Sequence, residues 1–239
     1  MGTSLAYAGV AALANVLGAA VVTSHTRWGV RALEVMVALA AGFMISVVLL
    51  DIFPEALGRG GSGAAVAALA GVLLVHLSQH ALVRHFHFGE ETHRVSQTVG
   101  LSALAGLLLH TLVDGVAIAS SFQVSKALGL LVFTAIVLHK VPEGLAISSL
   151  FLAAGASRGR AMLAAAALGA ATIVGVILTD RIGFLSNYGL GLSAGVTLYV
   201  ALSNLVPEFQ HRRVWRLQLA FFAGCAAYIG VRSLVGPAS

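Results

Sequence analysis

The sequence predicts an all-α integral membrane protein of eight transmembrane helices. Of its 239 residues, 59% are hydrophobic and only 10% are charged, and the mean hydropathy is +0.95, values far from those of a soluble domain. Apolar runs of about 20 residues, the length that spans a bilayer, follow one another with short loops between them. We expect one transmembrane domain over residues 1–239, with helices at about 5–22, 32–57, 63–83, 96–122, 127–152, 160–179, 188–208 and 215–235.

Basic residues predict how the chain is oriented. Because Lys and Arg accumulate in cytoplasmic loops, the side that holds more of them should face the cytoplasm, and both termini should lie outside. The formal charge of +5 does not indicate a nucleic-acid partner, because the basic residues sit at helix ends and form no basic surface. The first, third, fifth and seventh loops hold Arg27, Arg31, Arg84, Arg94, Arg158, Arg160, Arg212, Arg213 and Arg216, and the opposite side holds Arg59, Lys126, Arg181 and Arg232.

The first three helices differ in their polar residues. Helix one carries no ionisable group and is expected to be scaffold. Helix two ends in Asp51-Ile-Phe-Pro-Glu55, whose two acids either lie at the interface, where charge costs little, or line a pathway. Helix three is followed by a histidine-rich segment of a kind that can bind metal, although a polar loop without function is the alternative. We expect a cytoplasmic histidine loop that contains His85, His87 and His93.

Helices four and five carry one pattern twice. His110-Thr-Leu-Val-Asp114-Gly aligns without gaps on His139-Lys-Val-Pro-Glu143-Gly, and residues four apart share a helix face. Because consecutive spanning helices run in opposite directions, the repeat is inverted, which is typical of transporters that bind their substrate near the midplane. A structural hydrogen bond between histidine and carboxylate in each helix is the alternative. The favoured ligand set for one divalent metal is His110, Asp114, His139 and Glu143.

The last three helices suggest a second inverted likeness. Helix six has no acid before Asp180 and is expected to have only a structural role. Helix seven ends in Asn204-Leu-Val-Pro-Glu208, like the end of helix two. Helices one to three should therefore mirror helices six to eight about the central pair. Helix eight carries Trp215 and Tyr228 near its ends, as interfacial anchors would. In this scheme Asp51 and Glu55 line one mouth of a pathway, and Asn204 and Glu208 line the other.

These motifs resemble the ZIP (Zrt/Irt-like) family of divalent metal transporters. The resemblance rests on the two central motifs, on Asp51-Ile-Phe-Pro-Glu55, on the eight spans and on the histidine-rich third loop. It implies a 3+2+3 helix arrangement with inverted repeats, a midplane site for zinc, iron, manganese or cadmium, and movement of metal toward the cytoplasm.

The chain departs from the resemblance at the positions that often form a second metal site in that family. Here these positions hold Thr111 and Lys140, and helix six offers no acid. We therefore expect a single bound ion, with Lys140 as a tethered cation where a second ion would lie.

Several functions remain open at this point. Histidine nitrogens with two carboxylates suit Zn²⁺ or a similar divalent ion, with zinc first, as the substrate of a transporter. We expect no enzyme, because an intramembrane zinc hydrolase would need a further acid–base residue and both carboxylates are already used as ligands. A ZIP-like metal sensor or inactive scaffold is another alternative. The compact chain favours a bacterial cytoplasmic membrane, with lipid and the metal as partners and a homodimer as the oligomer to test.

Overall fold

The computed structural model describes residues 2–24, 30–78, 97–207 and 214–235. In these segments every regular element is helical, so the predicted all-α class is confirmed. Two short π-helical segments, Val48–Ile52 and Val200–Leu205, follow α2 and α7 directly. The α-helices are α1 (Gly2–Thr23), α2 (Val30–Val47), α3 (Phe53–Leu77), α4 (Gln97–Val124), α5 (Lys126–Ala153), α6 (Arg158–Arg181), α7 (Gly183–Tyr199) and α8 (Trp215–Val235).

Six helical stretches in the described part are long and apolar enough to cross a membrane. One of them, Glu34–Leu77, has 44 residues, about twice the length that a bilayer requires. Gly61 lies within it with φ 52° and ψ −136°, a conformation that residues with a side chain rarely adopt. The helical course therefore breaks at Gly61, between the second and third helices that the sequence predicts. The six stretches are Gly2–Thr23, Glu34–Leu77, Ala103–Val124, Lys126–Leu152, Arg158–Arg181 and Trp215–Leu234.

The helices pack in pairs that form two groups. In one group α3 lies along α7 and α2 lies along α8, and in the other α1 lies along α5 and α4 lies along α6. Contacts between α4 and α7, and between α2 and α5, join the two groups. The central helices α4 and α5 also contact each other, which brings the two copies of the central motif to the same place.

Glycines allow the backbones of α2 and α8, and those of α3 and α7, to touch. A Cβ at Gly42 on α2 would collide with the Phe221 carbonyl on α8, and one at Gly195 on α7 would collide with the Ala68 carbonyl on α3. Gly42 lies as many residues before Asp51 as Gly195 lies before Asn204. A close helix approach therefore occurs at the same distance along the chain before each of these two motifs.

A second set of glycine contacts positions the central pair. On α5, Gly144 lies against the backbone of Asn15 from α1, and on α4, Gly115 lies against the backbone of Thr172 from α6. Each of these glycines directly follows a carboxylate of the central motif. Helices α1 and α6 therefore cross the central pair at the level of its two acids.

Candidate metal site

The four residues of the duplicated motif meet in the interior of the bundle. His110, Asp114, His139 and Glu143 are all buried, and one ligand atom from each lies within 4.8 Å of the others. Zinc binds nitrogen and oxygen ligands at about 2.0–2.2 Å and is usually tetrahedral, so two of its ligand atoms lie about 3.4 Å apart. Separations of up to 4.8 Å would therefore have to contract by up to about 1.4 Å to bring all four atoms onto a single ion.

His139 is oriented by its own helix. Its Nδ1 lies 2.9 Å from the Ala135 carbonyl oxygen, and because a carbonyl only accepts hydrogen bonds, Nδ1 is the donor. In a neutral ring this leaves the lone pair on Nε2, which lies 3.4 Å from Oδ2 of Asp114. A backbone bond of this kind commonly fixes the tautomer of a metal-binding histidine, so the ring presents its metal-binding nitrogen to the site.

His110 approaches the same carboxylate from α4. Its Nε2 lies 3.5 Å from Oδ2 of Asp114, and its ring centroid lies 5.6 Å from that of His139. The spacing of four residues between His110 and Asp114 thus places both side chains on one helix face, as the sequence predicts. Asp114 is the shared centre, since both imidazoles converge on one of its oxygens.

Lys140 is the cation of this cluster. Its side chain is fully buried, and Nζ lies 2.6 Å from Oδ2 of Asp114 and 2.8 Å from Oε2 of Glu143. The ammonium therefore bridges a carboxylate from α4 and one from α5. A buried ion pair of this kind also has a purely structural explanation, because removing one partner would leave an uncompensated charge.

Unpaired polar atoms distinguish the cluster from an ordinary satisfied network. Among the described residues, the buried side-chain atoms without a hydrogen-bond partner are Nδ1 of His110, Oε1 of Glu143, and both Oδ1 and Nδ2 of Asn15. Buried polar atoms are nearly always paired in proteins. Asn15 is not among the site residues predicted from the sequence, although a lone amide in an otherwise apolar spanning helix is a signal that could have identified it.

The position expected beside a second ion is occupied by a residue that bonds within its own helix. Thr111 is fully buried, and its hydroxyl donates to the Leu108 carbonyl at 3.1 Å. On α6 the acid is Asp180, which is exposed and accepts a hydrogen bond from Gln123. The described residues therefore bring no further carboxylate to the cluster.

The predicted mouths are described only in part. Asp51 is 4% exposed, accepts a hydrogen bond from the Tyr228 hydroxyl, and lies 3.1 Å from Nε of Arg232. Tyr228 is fully buried, so the expectation that it is an interfacial anchor is wrong. Its hydroxyl donates a hydrogen bond to Asp51 inside the bundle. Glu55 and Asn204 are half-buried. Glu208 and the histidine loop of His85, His87 and His93 lie outside the described residues.

One comparison with known proteins bears on this site. The family model described as ZIP zinc transporter matches residues 75–232, a range that covers about two thirds of the chain. It includes both central helices with His110, Asp114, His139, Lys140 and Glu143. No curated protein matches the chain.

Proposed function

We propose that this chain, which belongs to the ZIP zinc transporter family, binds its divalent metal substrate at one site made by α4 and α5. The family match and the apolar helices indicate that the protein is a multi-pass membrane protein that transports a divalent metal. The finer proposal concerns the binding site, the identity of the metal and the direction of transport. The ligands of the proposed site are His110, Asp114, His139 and Glu143.

The convergence of the four ligand atoms within 4.8 Å carries the proposal. Two imidazoles and two carboxylates suit a borderline divalent ion, and zinc is the first choice, with iron, manganese or cadmium as alternatives. The two carboxylates supply two negative charges, which neutralise one such ion. A second divalent ion would have no charge to compensate it, because Thr111 and Lys140 stand at the remaining positions.

Lys140 pairs with the two carboxylates of the proposed site when no metal is bound. Its ammonium contacts both carboxylates at 2.6 and 2.8 Å, so it compensates part of their charge in the metal-free protein. A divalent ion bound to the same oxygens would repel the ammonium, by several kcal/mol at a separation of about 4 Å and an effective dielectric near 20. Metal binding therefore requires Lys140 to move away from Asp114 and Glu143.

The architecture proposed for the whole chain is one domain over residues 1–239 with eight spans in a 3+2+3 arrangement of inverted repeats. The paired glycine contacts of Gly42 and Gly195, and the π-helical segments that precede Pro54 and Pro207, support the equivalence of the outer thirds. The distribution of basic residues supports termini outside the cytoplasm, and the family resemblance supports metal movement toward it. A homodimer and a bacterial cytoplasmic membrane remain predictions.

A metal sensor or inactive scaffold is the second candidate function, and the buried ion pairs of Lys140 favour it. A chain whose own cation occupies the two carboxylates could bind metal, or hold its helices together, without moving an ion. The described residues give less support to an intramembrane zinc hydrolase, because both acids of the cluster are taken as ligands and the titratable group beside them, Lys140, is held in ion pairs with both.

Zinc uptake into proteoliposomes that contain only this protein separates these functions. The wild-type protein should accumulate Zn²⁺ down an imposed gradient, and His139→Ala should not. Thr134→Val is the matched control on α5, because the Thr134 hydroxyl bonds only to Leu130 in its own helix. Zinc binding without uptake would favour a sensor, and equal uptake by wild type and His139→Ala would refute the proposed site.

A further inference from the structure

Asn15 is a buried polar residue that the proposed ligand set does not use. Its side chain is fully buried in α1, and neither Oδ1 nor Nδ2 has a hydrogen-bond partner among the described residues. An unpaired buried polar group costs about 1–3 kcal/mol. An apolar side chain would fill the same space without that cost, so the amide needs an explanation other than packing.

The remaining unpaired atoms indicate where the explanation lies. In the part of the chain that the structure describes, the other buried side-chain atoms without a partner are Nδ1 of His110 and Oε1 of Glu143. Both belong to proposed metal ligands. Donors and acceptors left over around one cluster indicate a shared partner that is not a protein group, and a hydrated cation supplies one.

Backbone contacts place Asn15 at the level of this cluster. A Cβ built on Gly144 would lie 2.7 Å from the carbonyl carbon and 2.9 Å from the Cα of Asn15, and Gly144 directly follows Glu143. One turn further along α1, Gly18 lies against the Val141 backbone. Helix α1 therefore crosses α5 with Asn15 at the residue next to a proposed ligand.

The equivalent contact on the other side of the bundle does not need an amide. Thr172 of α6 lies against Gly115, which directly follows Asp114. Its hydroxyl donates to the Leu168 carbonyl of its own helix at 3.4 Å. The helix crossing is thus compatible with a side chain that satisfies itself, and the fold alone does not account for the unpaired amide of Asn15.

We propose that Asn15 is a positioning residue of the metal site, whose carboxamide oxygen accepts a hydrogen bond from a water bound to the metal. Water that α1 holds in place would then complete the coordination of the metal, beside the protein ligands. Groups that hydrogen-bond to a metal's ligands typically change its affinity by about 10- to 100-fold. This inference rests on the proposed metal site, and it adds a residue from outside the duplicated motif.

Zinc titration of purified protein in detergent, with thermal unfolding of the metal-free form, tests the inference. Asn15→Leu removes the amide while keeping the number and branching of the side-chain heavy atoms, and we expect zinc affinity to fall about 10- to 100-fold while the metal-free melting temperature stays equal or rises. Asn15→Asp keeps an accepting oxygen and should retain the affinity that Asn15→Leu loses. Thr172→Val is the matched control and should bind zinc like the wild type. If Asn15→Leu does not fold, Asn15→Ala takes its place.

Two contrary outcomes are distinguishable. If His139→Ala abolishes zinc binding and Asn15→Leu binds zinc like the wild type, the role of Asn15 is wrong and the metal site stands. If the wild type binds zinc no better than His139→Ala, the metal site is wrong and the role of Asn15 falls with it.

Discussion

The ammonium of Lys140 on α5 lies 2.6 Å from the carboxylate of Asp114 on α4. This contact joins the two helices that carry the inverted motif, at the position where their histidines also meet. Because both side chains are buried, the ion pair is little screened by water. In the free protein a cation from its own chain therefore compensates part of the charge of the two central acids.

Lys140→Ala should tighten metal binding and weaken the metal-free protein. Removing the ammonium relieves its repulsion of the ion, and a gain of about 1.4 kcal/mol or more corresponds to at least about tenfold in affinity. It also leaves Asp114 and Glu143 uncompensated, so the metal-free melting temperature should fall, and added Zn²⁺ should restore it. Zinc titration and thermal unfolding measure both effects. Binding no tighter than that of the wild type would show that Lys140 is structural.

Asp51 should contribute more to stability than to metal binding. Its carboxylate accepts hydrogen bonds from Tyr228 and Arg232, so Asp51→Ala should cost about 1.5–3 kcal/mol, the range for hydrogen bonds to a charged group. Asp51→Asn keeps an acceptor for Tyr228 and should cost less. Thermal unfolding and zinc titration of the two variants provide the measurement. A loss of zinc affinity or uptake at unchanged stability would instead support the predicted role of Asp51 at a pathway mouth.

Gly42→Ala and Gly195→Ala should each destabilise the bundle by about 1–3 kcal/mol, because the added methyl group has no room against a carbonyl of the neighbouring helix. Gly9→Ala is the control, since nothing lies within 4 Å of a Cβ at Gly9 and alanine favours a helix. Unfolding in detergent compares the three variants. A cost at Gly42 with none at Gly195 would contradict the equivalence of the two outer thirds.

The proposed orientation predicts which cysteines an impermeant thiol reagent reaches in sealed cells. In a Cys225→Ala background, Ser239→Cys should react from the outside, because the proposed orientation places the C-terminus there. Thr92→Cys, in the loop with His85 and His93, should react only after the cytoplasmic side is opened. The reverse labelling pattern would overturn the orientation and exchange the two predicted mouths.

The sequence predicted the helical class and the convergence of the central motif because both depend on local spacing. Histidine and carboxylate four residues apart must share a helix face, and an inverted repeat brings two such faces together. The partners of Asp51 could not be predicted in this way, because Arg232 and Tyr228 approach from a helix far along the chain. Neither could the contact of Asn15 with Gly144, since helix crossings follow from packing of the whole bundle.

We propose that the four residues of the inverted motif bind one divalent ion. Elemental analysis and zinc titration of the purified wild-type protein, compared with His139→Ala and Glu143→Ala, measure this binding. Losing one ligand removes a bond to the ion and leaves the remaining buried groups less compensated. We expect one Zn²⁺ per chain for the wild type and loss of high-affinity binding in both variants. Unchanged stoichiometry and affinity in both variants would contradict it.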